Sequence, residues 1–345
     1  MAKLQNSSSV NLKIYKGYGH THHLVVYGHL LRGNPTVRER FTHNFLYNTR
    51  HLIRLFSIDP IPHARIRLQH GTTLLETHTK DDGFFEFHWE SPHELVVGVQ
   101  SIQVAYLDND GNVIQEVPGE LYIPHSVQLA VISDIDDTIL ISYSSRFLKR
   151  LRVLFTRQPH SRKTFADIVH YFTLLSKAHT TPDLPNPFFY VSSSEWNLYD
   201  DLTEFFSHNQ LPEGVLLLNK IKRLQELGAS GQTQHHNKLV RIERIMRMFP
   251  KQRFVLYGDN SQQDPAIYVS IAKQFPESVV AIYIRCVQAK KKVATKRVLA
   301  ELADTTIHTL LFEHTREAML HSASVGLLPE DALPSLIEQV TYPNQ

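Results

Sequence analysis

The chain has 345 residues, 42% of them hydrophobic and 20% charged, and a formal net charge of +2. This length and composition suggest two soluble globular domains with a sizeable core, and a charge so close to balance excludes the strongly basic class of nucleic-acid binders. No run of about 18 apolar residues is present to cross a bilayer, the start MAKLQNSSSVNLK lacks the apolar stretch of a signal peptide, and the single Cys286 excludes an intrachain disulfide and fits a cytoplasmic protein.

Residues 1–11 read as a polar lead-in and residues 12–128 as a β-rich, antiparallel, sandwich-like domain. Leu24–Leu31 is a short apolar run containing Gly28, and Ala64–Gln69 alternates. Two hairpins are predicted: Leu74–Thr79 with Phe84–Trp89 across Asp81-Asp82-Gly83, and Ile102–Leu107 with Val113–Val117 across Asp108-Asn109-Asp110-Gly111. The first resembles hairpins of transthyretin-like or immunoglobulin-like modules. Arg38–Phe56 is less clear and reads either as including a helix or as an excursion between strands. This region holds no catalytic constellation, which leaves support, oligomerisation or partner binding as its roles. Of 21 histidines only His20/His22/His23 and His235/His236 are tightly grouped, and neither group has the spacing or partners of a zinc site.

Past a boundary near Pro124–Gln128 the pattern changes to strands alternating with helices, the signature of a doubly wound parallel sheet. Leu129–Ile132, Phe188–Val191, Val215–Leu218, Phe254–Tyr257 and Val279–Ile284 are the predicted strands. Phe165–Leu175, Trp196–Phe206, Leu239–Phe249 and Ile267–Phe275 carry helical spacing. Residues 129–290 form this second domain, and 291–345 a basic, then mostly helical, C-terminal extension.

Polar residues gather at the carboxyl ends of these strands, where open α/β sheets bind ligands. Asp134, Asp136 and Asp137 stand together in ISDIDDT, and their mutual repulsion calls for a divalent cation; hard oxygen donors suit magnesium. Ser192, with Ser193 beside it, follows the second strand. Asp259 and Asp264 follow the fourth, and Lys238 opens the helix before it. Together these residues can transfer a phosphoryl group through an aspartyl-phosphate. Asp134 is the nucleophile and Asp136 the general acid/base. Asp134, Asp136, Asp259 and Asp264 hold Mg2+, and Ser192, Ser193 and Lys238 bind phosphoryl oxygens.

Blander readings exist for each. Asp134–Asp137 also reads as a polar strand end, with Asp137 in a backbone turn. Ser192 with Glu195 reads as a helix-capping box, and Asp264 before Pro265 as an N-cap. Lys220 and Lys222 rival Lys238. Cys286 reads as a core residue rather than a nucleophile.

The DxDxT motif at Asp134–Thr138, the serine after a strand, the later lysine and Gly258-Asp259 with Asp264 resemble the haloacid dehalogenase superfamily. FYVSSSEWNLYDDLTEFF, NKLVRIERIMRMFP, FVLYGDNSQQDPAIY and VAIYIR are similar to the catalytic domain of actin-patch-type phosphatidate phosphatases, relatives of the lipins, in a bacterial-type arrangement with a β-rich region ahead. The resemblance implies a magnesium-dependent phosphatidate phosphatase with an anionic phospholipid as substrate. Two alternatives remain: a phosphatase of soluble phosphomonoesters, and a non-catalytic anionic-lipid-binding module, against which both Asp134 and Asp136 argue.

Between Asp137 and Asp167 there is no acid, while Arg146, Lys149, Arg150, Arg152, Arg157, Arg162 and Lys163 interleave with apolar residues. This stretch, 146–163, reads as a peripheral membrane contact or as a solvated cap helix.

Overall fold

The computed structural model describes residues 9–33, 53–125, 128–135, 168–181, 183–221 and 233–329, with backbone alone at 233–236. Asp136, Asp137 and the stretch 146–163 lie outside these residues. One compact unit runs to Pro124 and a second begins at His125.

The first unit is a nine-stranded sheet. Its strands are β1 (Val10–Ile14), β2 (Gly17–His20), β3 (His23–Arg32), β4 (Asp59–Pro60), β5 (Arg65–His70), β6 (Thr73–His78), β7 (Phe84–Trp89), β8 (Gly98–Leu107) and β9 (Val113–Ile123). All pairings are antiparallel except β2 with β9. Alternate residues of distant strands close on one core: Leu24 and Val26 of β3, Phe85 and Phe87 of β7, Ile66 and Leu68 of β5, Ile102 and Val104 of β8. Gly28 is a glycine because a Cβ there would lie 2.2 Å from the Phe85 ring.

The hairpin β8–β9 forms as predicted, with the Asp108 carboxylate accepting the Asp110 and Asn112 N–H groups. The other hairpin does not. A turn closes at Lys80–Gly83, yet β6 pairs with β5 and β7 pairs with β3. Burial decides this. β7 carries Phe85, Phe87 and Trp89, which need the apolar face of β3, whereas β6 is nowhere fully buried and serves as an edge.

His29 of β3 is buried, and its Nδ1 lies 2.9 Å from the Tyr15 hydroxyl. Burial, reinforced by the nearby Lys13 charge, pushes the imidazole down to about 3. An unfolded histidine titrates near about 6.5, so the stability contributed by neutral His29 is complete above that pH and is lost as pH falls toward 3. Urea unfolding of the full chain should show wild type losing about 2 kcal/mol more than His29→Leu between pH 7 and pH 5.

The second unit is built on a six-stranded parallel sheet in the order β12-β11-β10-β13-β14-β15. The strands are β10 (Leu129–Ser133), β11 (Phe188–Glu195), β12 (Gly214–Asn219), β13 (Arg253–Asp259), β14 (Val279–Arg285) and β15 (His308–Phe312). The helices are α1 (Ile168–Lys177), α2 (Tyr199–His208), α3 (Thr233–Met248), α4 (Asp264–Gln274), α5 (Lys292–Leu299) and α6 (Thr315–Ser324). The chain starts in the middle at β10, steps outward to β11 and β12, then returns to add β13, β14 and β15 on the other side. The order reverses at β10 and β13, and the carboxyl ends of strands at such a switch point are where these sheets take ligands.

The C-terminal region, expected to be mostly helical, also carries a strand: β15 extends the sheet beside β14. HTLLF is a short, half-exposed edge strand, and five residues without a clear period give little signal against a helical background. Among the described residues no helix is long and apolar enough to cross a membrane.

Candidate active site

β10 is fully buried from Ala130 to Ser133, because both its neighbours are strands and both its faces are covered. Beyond its end, Asp134 donates its backbone N–H to Tyr257 O of β13 at 2.9 Å and is itself 0% exposed. β13 ends on Asp259, one of whose carboxylate oxygens accepts the Ser261 N–H. Five residues on, Asp264 begins α4. The N-cap position is Gln263, so Asp264 is not the cap that Pro265 suggested. Its carboxylate turns inward instead and accepts the Asp259 N–H at 3.4 Å. Gly258 makes room for it: a Cβ there would come within 2.6 Å of Asp264 Oδ2.

Lys238 reaches the same point from α3. It lies in the second turn rather than at the start, on the face that also buries Ile242, Ile245 and Phe249. Its stem runs through the core and its ammonium donates to Asp134 Oδ1 at 2.8 Å and Asp264 Oδ1 at 2.5 Å. Burial alone would pull the Lys238 ammonium down, but the Asp134 and Asp264 carboxylates outweigh it and the net shift is upward. Lys238 therefore stays charged.

Oxygen atoms of Asp134, Asp259 and Asp264 lie within 4.8 Å of one another, all buried. Three carboxylates face the Lys238 ammonium and, beside Asp259, the Arg285 guanidinium, so one negative charge is left over in a water-excluded place. A hard divalent cation would offset it, and carboxylate oxygens are the donors such a cation takes.

Ser192 lies in the second half of β11, two residues past the last one paired with β10, where the ladder with β12 is interrupted between Val191 and Glu195. Such bulges re-aim side chains near sites. The Ser192 hydroxyl is buried and accepts the Ser194 N–H at 2.9 Å. Ser193 donates to Gln262 at 3.4 Å, linking this bulge to the loop between Asp259 and Asp264. The predicted capping box does not form: β11 continues through Glu195, and the turn Trp196–Leu198 and α2 begin without a side-chain cap. Of the rival lysines, Lys220 is exposed and Lys222 lies outside the described residues. Cys286 follows the end of β14, half-buried, with its sulfur 3.6 Å from Asn260 Nδ2, rather than lying within the strand.

The structure thus brings together Asp134, Lys238, Asp259 and Asp264, with Ser192 and Ser193 on the neighbouring strand β11. Sequence reasoning missed Tyr268. Its ring centroid is 6.0 Å from the Lys238 ammonium and its hydroxyl donates to Tyr257 O at 3.1 Å. Its position four residues after Asp264, one helical turn on, was the available signal.

Residues 129–286 match the family described as phosphatidate phosphatase APP1, catalytic domain. The phosphatidate phosphatase APP1 of Saccharomyces cerevisiae is 30% identical over 176 residues, which cover 49% of this chain and 27% of that protein. An uncharacterised protein of Schizosaccharomyces pombe is 24% identical over 205 residues, or 57% of this chain and 32% of that protein. The chain therefore spans about a third or less of the length of these relatives. Among solved structures, a carbohydrate acetylesterase from Xanthomonas citri aligns over 88% of this chain and 69% of its own at 7% identity, with a TM-score of 0.32. That is too low to carry an argument.

Proposed function

Because residues 129–286 belong to the APP1-type phosphatidate phosphatase catalytic family, we propose that this chain is a phosphatase that hydrolyses phosphatidate to diacylglycerol and inorganic phosphate. The observation that carries the reading is the buried set Asp134, Lys238, Asp259 and Asp264 within that segment. We read the six-stranded sheet as that of the haloacid dehalogenase superfamily, residues 129–290 as the catalytic domain, and the β-rich region before it as its support.

In this reading a carboxylate oxygen of Asp134 attacks phosphorus, and the bond from phosphorus to the glycerol oxygen breaks. Asp136 gives its proton to that leaving oxygen. The aspartyl-phosphate on Asp134 is then cleaved by water, whose proton returns to Asp136 as the bond between phosphorus and the Asp134 oxygen breaks. Lys238 holds the Asp134 carboxylate in place and offers its ammonium to the phosphoryl oxygens. Ser192 and Ser193 supply hydroxyl donors to the same oxygens. Asp264 positions Lys238 and braces the end of β13. Asp134, Asp136, Asp259 and Asp264 would hold magnesium, which when bound neutralises phosphoryl charge.

The test is phosphate release from phosphatidate vesicles with magnesium and with EDTA. We expect turnover with magnesium and none with EDTA. Release from a soluble phosphomonoester but not from phosphatidate would replace the lipid substrate with a soluble one. Vesicle binding without hydrolysis of any phosphoester would leave a lipid-binding module.

A further inference from the structure

The stretch between Glu277 and Glu301 has six basic residues and no acid, and the chemistry proposed above uses none of them. It starts against the acidic loop. Arg285 is the ladder partner of Asp259. The Asn260 side chain accepts the N–H groups of Val287 and Gln288 at 2.9 Å and donates to Gln288 O at 3.0 Å. Lys291 donates to Ser261 O at 2.6 Å. The turn Ala289–Lys291, from which α5 starts, is thereby fixed to the loop after Asp259 at the carboxyl edge of the sheet.

The inner face of α5 buries Thr295 and Leu299. Its outer face carries Val293, 72% exposed, with Ala294, Lys296 and Arg297 around it, and Lys290 and the 36%-exposed Val287 just ahead. On a helix Lys290, Val293, Ala294 and Arg297 share one face. Lys292 is paired with Glu313, whereas among the described residues no carboxylate pairs with Lys290, Lys296 or Arg297. Cations ringing an exposed valine match the interface of an anionic bilayer, with the apolar tip among the lipid heads and the charges on their phosphates.

We infer that this outward face of α5, with the turn before it, is a docking surface for anionic membranes. The inference goes beyond the proposed hydrolysis, and its test uses no turnover of lipid. The full chain is sedimented with vesicles of phosphatidylcholine alone and of phosphatidylcholine with phosphatidylserine. Wild type should bind the anionic vesicles and not the neutral ones. Lys290→Gln/Lys296→Gln/Arg297→Gln should bind about a hundredfold more weakly, from about fivefold per charge, and Val293→Asp should also weaken binding. Thermal unfolding and release of phosphate from a soluble phosphomonoester, both unchanged in the variants, exclude misfolding. Equal binding of wild type and the triple variant would overturn the inference. So would wild type that binds single-stranded RNA as tightly as anionic vesicles and loses both in the triple variant, since the face would then serve polyanions in general.

Discussion

Asp134→Asn should lower magnesium-dependent phosphate release from phosphatidate vesicles by at least about 10⁴-fold, a loss of the size seen when a covalent nucleophile is removed. An amide oxygen is a poor nucleophile and cannot carry the phosphoryl group as an acyl phosphate. The side chain keeps its shape, and Lys238 retains Asp264 at 2.5 Å, so the fold should survive. Single-turnover mixing followed by acid quench reads the step directly: wild type should trap phosphate on protein and Asp134→Asn should not. A variant that still turns over at a tenth of the wild-type rate would remove Asp134 from the nucleophile's role.

Lys238→Met should destabilise the second unit by about 3–5 kcal/mol, the usual cost of breaking a buried charge pair from one side. Lys238 is 1% exposed and its ammonium serves two carboxylates. Methionine fills most of the stem's volume and leaves the acids without their cation. Left unpaired, those acids take up protons more readily in the folded state than in the unfolded state. A carboxyl raised in the folded state favours folding as pH falls, so the deficit should shrink between pH 7 and pH 5. Urea unfolding at the two pH values checks both the size and the sign. A loss under about 1 kcal/mol at pH 7 would mean that the ion pairs contribute little beyond packing.

The grouping of Asp134, Asp259 and Asp264 was legible because these residues follow closely on buried strands. Four apolar residues before Asp134, and a similar run before Asp259, identify parallel strands, and the acids fall where such strands end. Lys238 could be read from its helix phase, four residues before Ile242. The errors came where distant packing overrides local signals. Asp81-Asp82-Gly83 does make a turn, but the aromatic residues of β7 are drawn to β3, and no local rule states that preference. Asp264 has a cap-like neighbour in Pro265, yet its side chain serves Lys238 instead, and the strand continues past Ser192, whose hydroxyl accepts the Ser194 N–H. β15 escaped notice because its shortness and partial exposure erase the period that betrays a strand.

The sheet order has a consequence for how the molecule comes into being. The innermost strand, β10, is the first of its sheet to be made, and its two neighbours β11 and β13 follow only after long intervening segments. Lys238 and Asp134 are 104 positions apart. During synthesis β10 must therefore wait, with Leu129–Ile132 unpaired on both edges, until much of the second unit has emerged. Structures closed by such remote pairings form slowly and pass through states open to wrong association. Expression yield and dependence on folding helpers should therefore respond to the apolar character of this one short strand more than to the whole unit preceding it.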